Sequence, residues 1–86
     1  MKKEREGKYK KELRESLRKT AKEDALLDDF LKDILTPAEY REIANRLQIL
    51  KLLNKGFSHR EIAETLGVGI ATVERGARVL VDKRRG

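Results

Sequence analysis

The stretch Ser58-His59-Arg60-Glu61-Ile62-Ala63-Glu64-Thr65-Leu66-Gly67-Val68-Gly69-Ile70-Ala71-Thr72-Val73 decides the fold. It reads as two short helices joined by a tight turn, the helix-turn-helix arrangement. Ser58 followed three residues later by Glu61 is a capping box that starts the first helix. Ala63 is small where the two helices must cross closely. Gly67 permits the positive φ that turns the chain. Ile62, Leu66, Val68 and Val73 are the apolar residues that hold the crossing angle. A helical hairpin used for protein contact is the alternative reading of the same pattern.

One slot departs from the ordinary pattern. Three residues after Val73, such units carry an aliphatic plug, and here the position is Gly76, preceded by Arg75. A glycine inside a helix costs roughly 1 kcal/mol relative to alanine. Something therefore needs the space. One expectation is a small ligand seated beside the second helix; the other is tight helix packing with no ligand.

Outward from this stretch the chain reads as helix throughout. Thr36-Pro37-Ala38-Glu39 is a strong helix start, with Thr36 as cap, Pro37 in the first turn and Glu39 reaching back to the cap amide. The helix over 36–55 carries Ile43, Ala44, Leu47, Leu50 and Leu53 and stops at Gly56, which tolerates a left-handed cap. Asp24 is placed to cap an earlier helix whose apolar set, Leu26, Leu27, Phe30, Leu31, Ile34 and Leu35, covers more than one face. A helix so apolar is expected to be buried. From Lys8, Tyr9, Leu13, Leu17 and Ala21 form a narrow i, i+4 stripe. The expected organisation is a single domain over 1–86: a disordered 1–7, N-terminal dimerisation helices over 8–35, the central helix, a helix-turn-helix over 58–81 with Leu80 and Val81 near its end, and a loose basic tail over 82–86.

Eighty-six residues bury only a modest core, so self-association is a natural way to complete it. The net charge of +6 is unevenly spread. Residues 1–23 hold ten basic and five acidic groups, residues 24–42 two and six, and residues 43–86 nine and four. Two basic segments suit a polyanion, with the acidic middle facing away. There is no cysteine, which excludes a disulfide scaffold and a thiolate metal site. The basic start leads into no apolar run, and no segment is long enough to span a bilayer, so the expected location is the cytoplasm with no membrane partner. The lone His59 has no catalytic partner in the sequence, and nothing supplies a positioned acid or base, so no enzyme is expected.

In the DNA-binding reading, the helix beginning at Gly69 enters the major groove of double-stranded DNA with its first residues at base edges. Gly69, Ile70, Ala71 and Thr72 are small or apolar, suited to close approach and thymine methyls but poor in bidentate hydrogen bonds. Shape and water then share the readout. Arg60 is a candidate guanine or phosphate contact, and His59 lies near the backbone.

From Leu35 to Leu80 the chain resembles the tryptophan repressor family. The resemblance rests on Leu35-Thr36-Pro37, Arg46, Ile49 through Gly56, Ser58–Glu61, Leu66-Gly67 and above all Gly69-Ile70-Ala71-Thr72-Val73 followed by Arg75-Gly76. It implies an all-α, intertwined homodimer that regulates transcription, with L-tryptophan or a related amino acid as corepressor. It implies that Arg75 pairs with the ligand carboxylate, helped by the Thr36 hydroxyl, that Arg46 and Arg75 flank the ring, that Gly76 leaves room for it, and that Leu35 and Leu50 lie nearby. A guanidinium suits both tasks, since it grips carboxylates and stacks on aromatic faces.

The chain departs from the family at four places. Val79 stands where the family has a serine near the ligand ammonium. Glu74 replaces a threonine on the DNA-facing side, with Arg78 as a compensating cation. The turn at Gly56-Phe57 lacks one residue, and the better-known members continue past the position of Gly86 into another helix. Thr36 as a plain cap and Arg46 as a partner of Glu42 remain alternative explanations. So do a ligand-independent DNA binder of the same fold and a sigma-factor-like region acting through protein contacts; Arg75-Gly76 argues against the last.

Overall fold

A computed structural model describes the backbone over residues 2–85 and the side chains as far as Val79. Five helices follow in order: α1 (Lys2–Thr20), α2 (Asp24–Ile34), α3 (Pro37–Asn54), α4 (His59–Leu66) and α5 (Ile70–Arg85). No strand occurs among the described residues, and the fold class is all-α as expected. The chain divides into two compact units, residues 1–40 and 41–86.

In the first unit α1 packs on α2. The helix begins at Lys2, six residues before the expected start at Lys8, so residues 2–7 of the stretch expected to be disordered are helical. Glu4 in the first turn and Arg18 and Lys19 in the last complement the helix dipole, which favours both ends. Thr20 closes α1, its hydroxyl donating to the Ser16 carbonyl at 2.9 Å, and Ala21 falls in the turn beyond. The cap of α2 is Glu23, in extended conformation and with no side-chain cap bond, while Asp24 is the first helical residue. An acid there still complements the dipole.

The expectation that α2 is buried is not met within one chain. None of its residues is buried, and Leu26 and Ile34 are each 49% exposed. Its apolar residues cover more than one face, and α1 is the helix packed against it. Leu27, Phe30 and Leu31 are half-buried. The phenol of Tyr40 donates to Asp28 Oδ1 at 2.8 Å, and Lys32 pairs with Asp28 at 2.9 Å.

The second unit holds the core. Ile49 of α3, Ile62 and Ala63 of α4, and Val73 of α5 form one buried cluster, with Leu52, Leu53, Leu66 and Val68 packed against it. Burying the isoleucine and valine side chains contributes roughly 1.5–3 kcal/mol each. Helix α3 ends in a Schellman turn: Phe57 N–H donates to the Leu52 carbonyl, Gly56 N–H donates to that of Leu53, and Gly56 takes φ 88°. The opposite side of α3 is bare, with Ile43 50% and Leu47 54% exposed. Helix α5 continues to Arg85, so residues 82–85, expected as a loose tail, are helical. The placement expected for the Leu80 and Val81 side chains lies outside the described residues.

Candidate nucleic-acid interface

The helix-turn-helix is built as its residues dictate. Glu61 N–H donates to Ser58 Oγ at 3.1 Å and Ser58 N–H donates to Glu61 Oε1 at 2.9 Å, closing the capping box of α4. Ser58, through its amide first and its hydroxyl second, holds the Glu61 carboxyl below its ordinary value of 4.5. Gly67 ends α4 with φ 67° and ψ 34°, the left-handed region where a β-carbon is strained. Val68 N–H donates to the Ala63 carbonyl at 3.1 Å. The Gly69 carbonyl accepts from Thr72 and Val73 at 3.1 and 3.4 Å, which starts α5. Ile62 and Val73 are fully buried and Ala63 is 8% exposed, so the crossing of α4 and α5 is fixed by packing.

That packing leaves one surface free. His59 and Arg60 are exposed in the first turn of α4, and Gly69, Ile70 and Ala71 are exposed where α5 begins. Ile70 is 46% exposed, an aliphatic group held out at the helix start. Thr72 is half-buried and turned partly inward. Further along, Glu74, Arg75 and Arg78 are exposed. Arg78 lies seven residues past Ala71 and four past Glu74, so the three share one helical face. The unit therefore sets the expected base-edge residues on a rigid frame and adds a cation two turns along.

The residues expected at a ligand are divided. Leu35 and Thr36 belong to the first unit; Arg46, Leu50, Arg75, Gly76 and Val79 belong to the second. Thr36 caps α3: Glu39 N–H donates to its hydroxyl at 3.1 Å, and its own N–H donates to Glu39 Oε1 at 2.9 Å. Arg46 Nη2 donates to Glu42 Oε1 at 2.9 Å, as the plain alternative anticipated. Arg75 is exposed, while Leu35, Leu50 and Val79 are half-buried.

Gly76 is buried, and the room beside it is taken. A β-carbon added there would meet Ile49 Cδ1 at 2.9 Å and Cγ2 at 3.9 Å. The expected vacancy is thus occupied by the protein's own side chain, and Gly76 serves the close approach of the Ile49 side chain to the backbone of α5. Arg75 and Gly76, adjacent in sequence, lie on exposed and buried sides of α5 respectively. Two buried residues were not singled out from sequence: Ile49, hidden in a nearly continuous apolar run, and Ala77, 4% exposed one turn after Val73. The i, i+4 pairing of Val73 with Ala77 was the available signal.

Among the described residues no group of three or more His, Cys, Asp or Glu is placed to hold a metal ion. No helix among them is long and apolar enough to cross a membrane.

Comparison with known proteins points one way. The family model described as Trp repressor protein matches residues 9–85. A Trp operon repressor homolog of Photobacterium profundum is 46% identical over 54 residues, covering 62% of this chain and 52% of that protein. One from Actinobacillus succinogenes is 40% identical over 67 residues, covering 77% of this chain and 65% of its own length. One from Xylella fastidiosa is 43% identical over 53 residues, 60% of this chain and 58% of the relative. The chain spans about half the length of the first of these curated relatives. No solved structure gives a significant match.

Proposed function

The chain belongs to the Trp repressor protein family, and on that premise we propose that it is a sequence-specific DNA-binding repressor of transcription. The family is one of regulators rather than enzymes. The observation that carries the reading is the rigid α4–α5 frame: Ile62 and Val73 are fully buried beneath a surface that exposes His59, Arg60, Gly69, Ile70, Ala71 and Arg78. Those residues are proposed to meet DNA, with Thr72 at the edge of the contact. The two units are proposed to form one domain within an intertwined homodimer in the cytoplasm. The exposed Leu26, Ile34, Ile43 and Leu47 support this, because each is a large apolar side chain that one chain leaves in water.

L-tryptophan, or a related amino acid, is proposed as corepressor, held by Arg75 and Arg46 with Thr36, Leu35, Leu50, Gly76 and Val79 around it. Family membership supports this, as does the exposure of the Arg75 guanidinium. Such a ligand must displace Ile49 to use the space at Gly76, and Val79 gives its ammonium group no hydrogen bond. A second reading, DNA binding without a ligand, is favoured by two contacts: Ile49 fills the Gly76 slot and Glu42 holds Arg46.

One titration separates them. The protein has no tryptophan, so the fluorescence of added L-tryptophan reports its binding without background. Protein is titrated into the ligand with and without duplex DNA. Binding that duplex DNA tightens supports the corepressor; duplex binding with no ligand signal supports the second reading.

A further inference from the structure

We propose that α1 carries a second nucleic-acid contact, a carboxylate-free basic stripe that binds the phosphate backbone of duplex DNA without regard to sequence. The inference rests on the DNA-binding reading above and extends it to a helix outside the helix-turn-helix.

At 3.6 residues per turn, Lys3, Lys10, Lys11, Arg14 and Arg18 fall within a sector of roughly 100° around α1. Gly7 is the other residue in that sector. The four carboxylates of the helix, Glu4, Glu6, Glu12 and Glu15, all lie outside it. They intersperse instead with Lys8, Lys19 and Arg5 on the remaining surface. All five basic residues of the stripe are exposed. None has an ion-pair partner among the described residues.

No printed contact ties the acidic helix packed on α1 to the stripe: Asp28 of α2 is engaged by Lys32 and by the phenol of Tyr40, and among the described residues Asp24, Asp29 and Asp33 form no ion pair with it. Within the stripe, Lys10 with Arg14 and Arg14 with Arg18 are like charges four apart, an arrangement that destabilises a free helix. A polyanion laid along the stripe relieves that repulsion. From Lys3 to Arg18 the stripe runs about 22 Å. A duplex presents a charge about every 1.7 Å of its axis, so such a stripe finds phosphates wherever it is laid. No side chain on the stripe is apolar, so it has nothing to insert into lipid. Leu17, on the apolar side, is half-buried in the first unit.

The test measures the salt dependence of full-length protein binding to a mixed-sequence duplex, using Lys10→Gln/Arg14→Gln/Arg18→Gln against wild type. Losing three phosphate contacts should lower the slope of log affinity against log salt by about 2.7, at roughly 0.9 per contact. Affinity at low salt should fall at least tenfold. Circular dichroism of the free variant should show α1 still helical, because relief of the repulsion offsets the loss of Arg18 from the last turn. Arg14→Lys/Arg18→Lys keeps the charge and should keep the wild-type slope. An unchanged slope in the glutamine variant, with wild type still bound to duplex, overturns the stripe and leaves the helix-turn-helix reading standing. Wild type that fails to bind duplex at all overturns both. Stripe-dependent binding to phosphatidylserine–phosphatidylcholine vesicles, with stripe-independent binding to duplex, also overturns the proposal.

Discussion

Ile49 Cδ1 lies 2.9 Å from the position a β-carbon on Gly76 would take, closer than real β-carbon contacts come. Ile49 is 1% exposed, so it has little room to yield. Gly76→Ala gains about 1 kcal/mol of helix propensity but overpacks a site where such insertions cost about 1–3 kcal/mol. We predict a net loss of about 1 kcal/mol by urea denaturation. Ile49→Val removes the offending methyl, alone costing about 0.5–1.5 kcal/mol. In the double variant the two losses should not add; the cycle should show favourable coupling. Additive losses would remove the packing role from Gly76.

Arg75→Ala tests the corepressor without touching that contact. Arg75 is exposed, so stability should change by no more than about 0.5 kcal/mol. L-tryptophan binding, read by ligand fluorescence, should be lost. Ligand response that survives the change would show that the carboxylate is held elsewhere.

Leu47 tests the dimer. It is 54% exposed on α3, so Leu47→Glu should leave the fold of one chain intact. It would bury a charge in a dimer interface, which is costly. Sedimentation should show the wild type as a dimer at micromolar concentration and the variant shifted towards monomer. A well-folded wild-type monomer at that concentration would contradict the homodimer.

The Asp28 cluster gives stability a pH dependence at both ends. The Lys32 hydrogen bond, then that of Tyr40, holds the Asp28 carboxyl below its ordinary 3.8. This contribution is complete above that value and is lost as pH falls through the depressed one. The Asp28 hydrogen bond raises Lys32 above 10.5 and Tyr40 above 10.0. Their contributions are present below those values and are lost as pH rises through the raised ones. Lys32 is exposed and Asp28 and Tyr40 are only half-buried, so the effects are small and weaken with salt. Asp28→Asn should flatten the helicity profile in both windows; an unchanged profile would show that the cluster adds nothing.

The helix-turn-helix was legible because its constraints are local. Gly67 needs positive φ, Ala63 needs to be small, and Ser58 and Glu61 need each other, all within a dozen residues. Thr36 and Glu39 were legible for the same reason. Ile49 was not, because Ile49, Leu50, Leu52 and Leu53 are all apolar and the phase of α3 against α5 decides which turns inward. Gly76 was recognised as a place that something must occupy, but a glycine does not say whether the occupant is a ligand or a neighbour. The exposure of α2 was missed because apolar residues signal burial without saying whether one chain can supply it.

The most direct measurement is selection from a pool of random duplexes with the full-length protein, with and without L-tryptophan. The account predicts enrichment of a two-fold symmetric sequence whose half-sites lie about one helical turn apart, as a dimer presenting two α5 helices requires. Retention of no duplex, or retention with no sequence enriched in either condition, would contradict it.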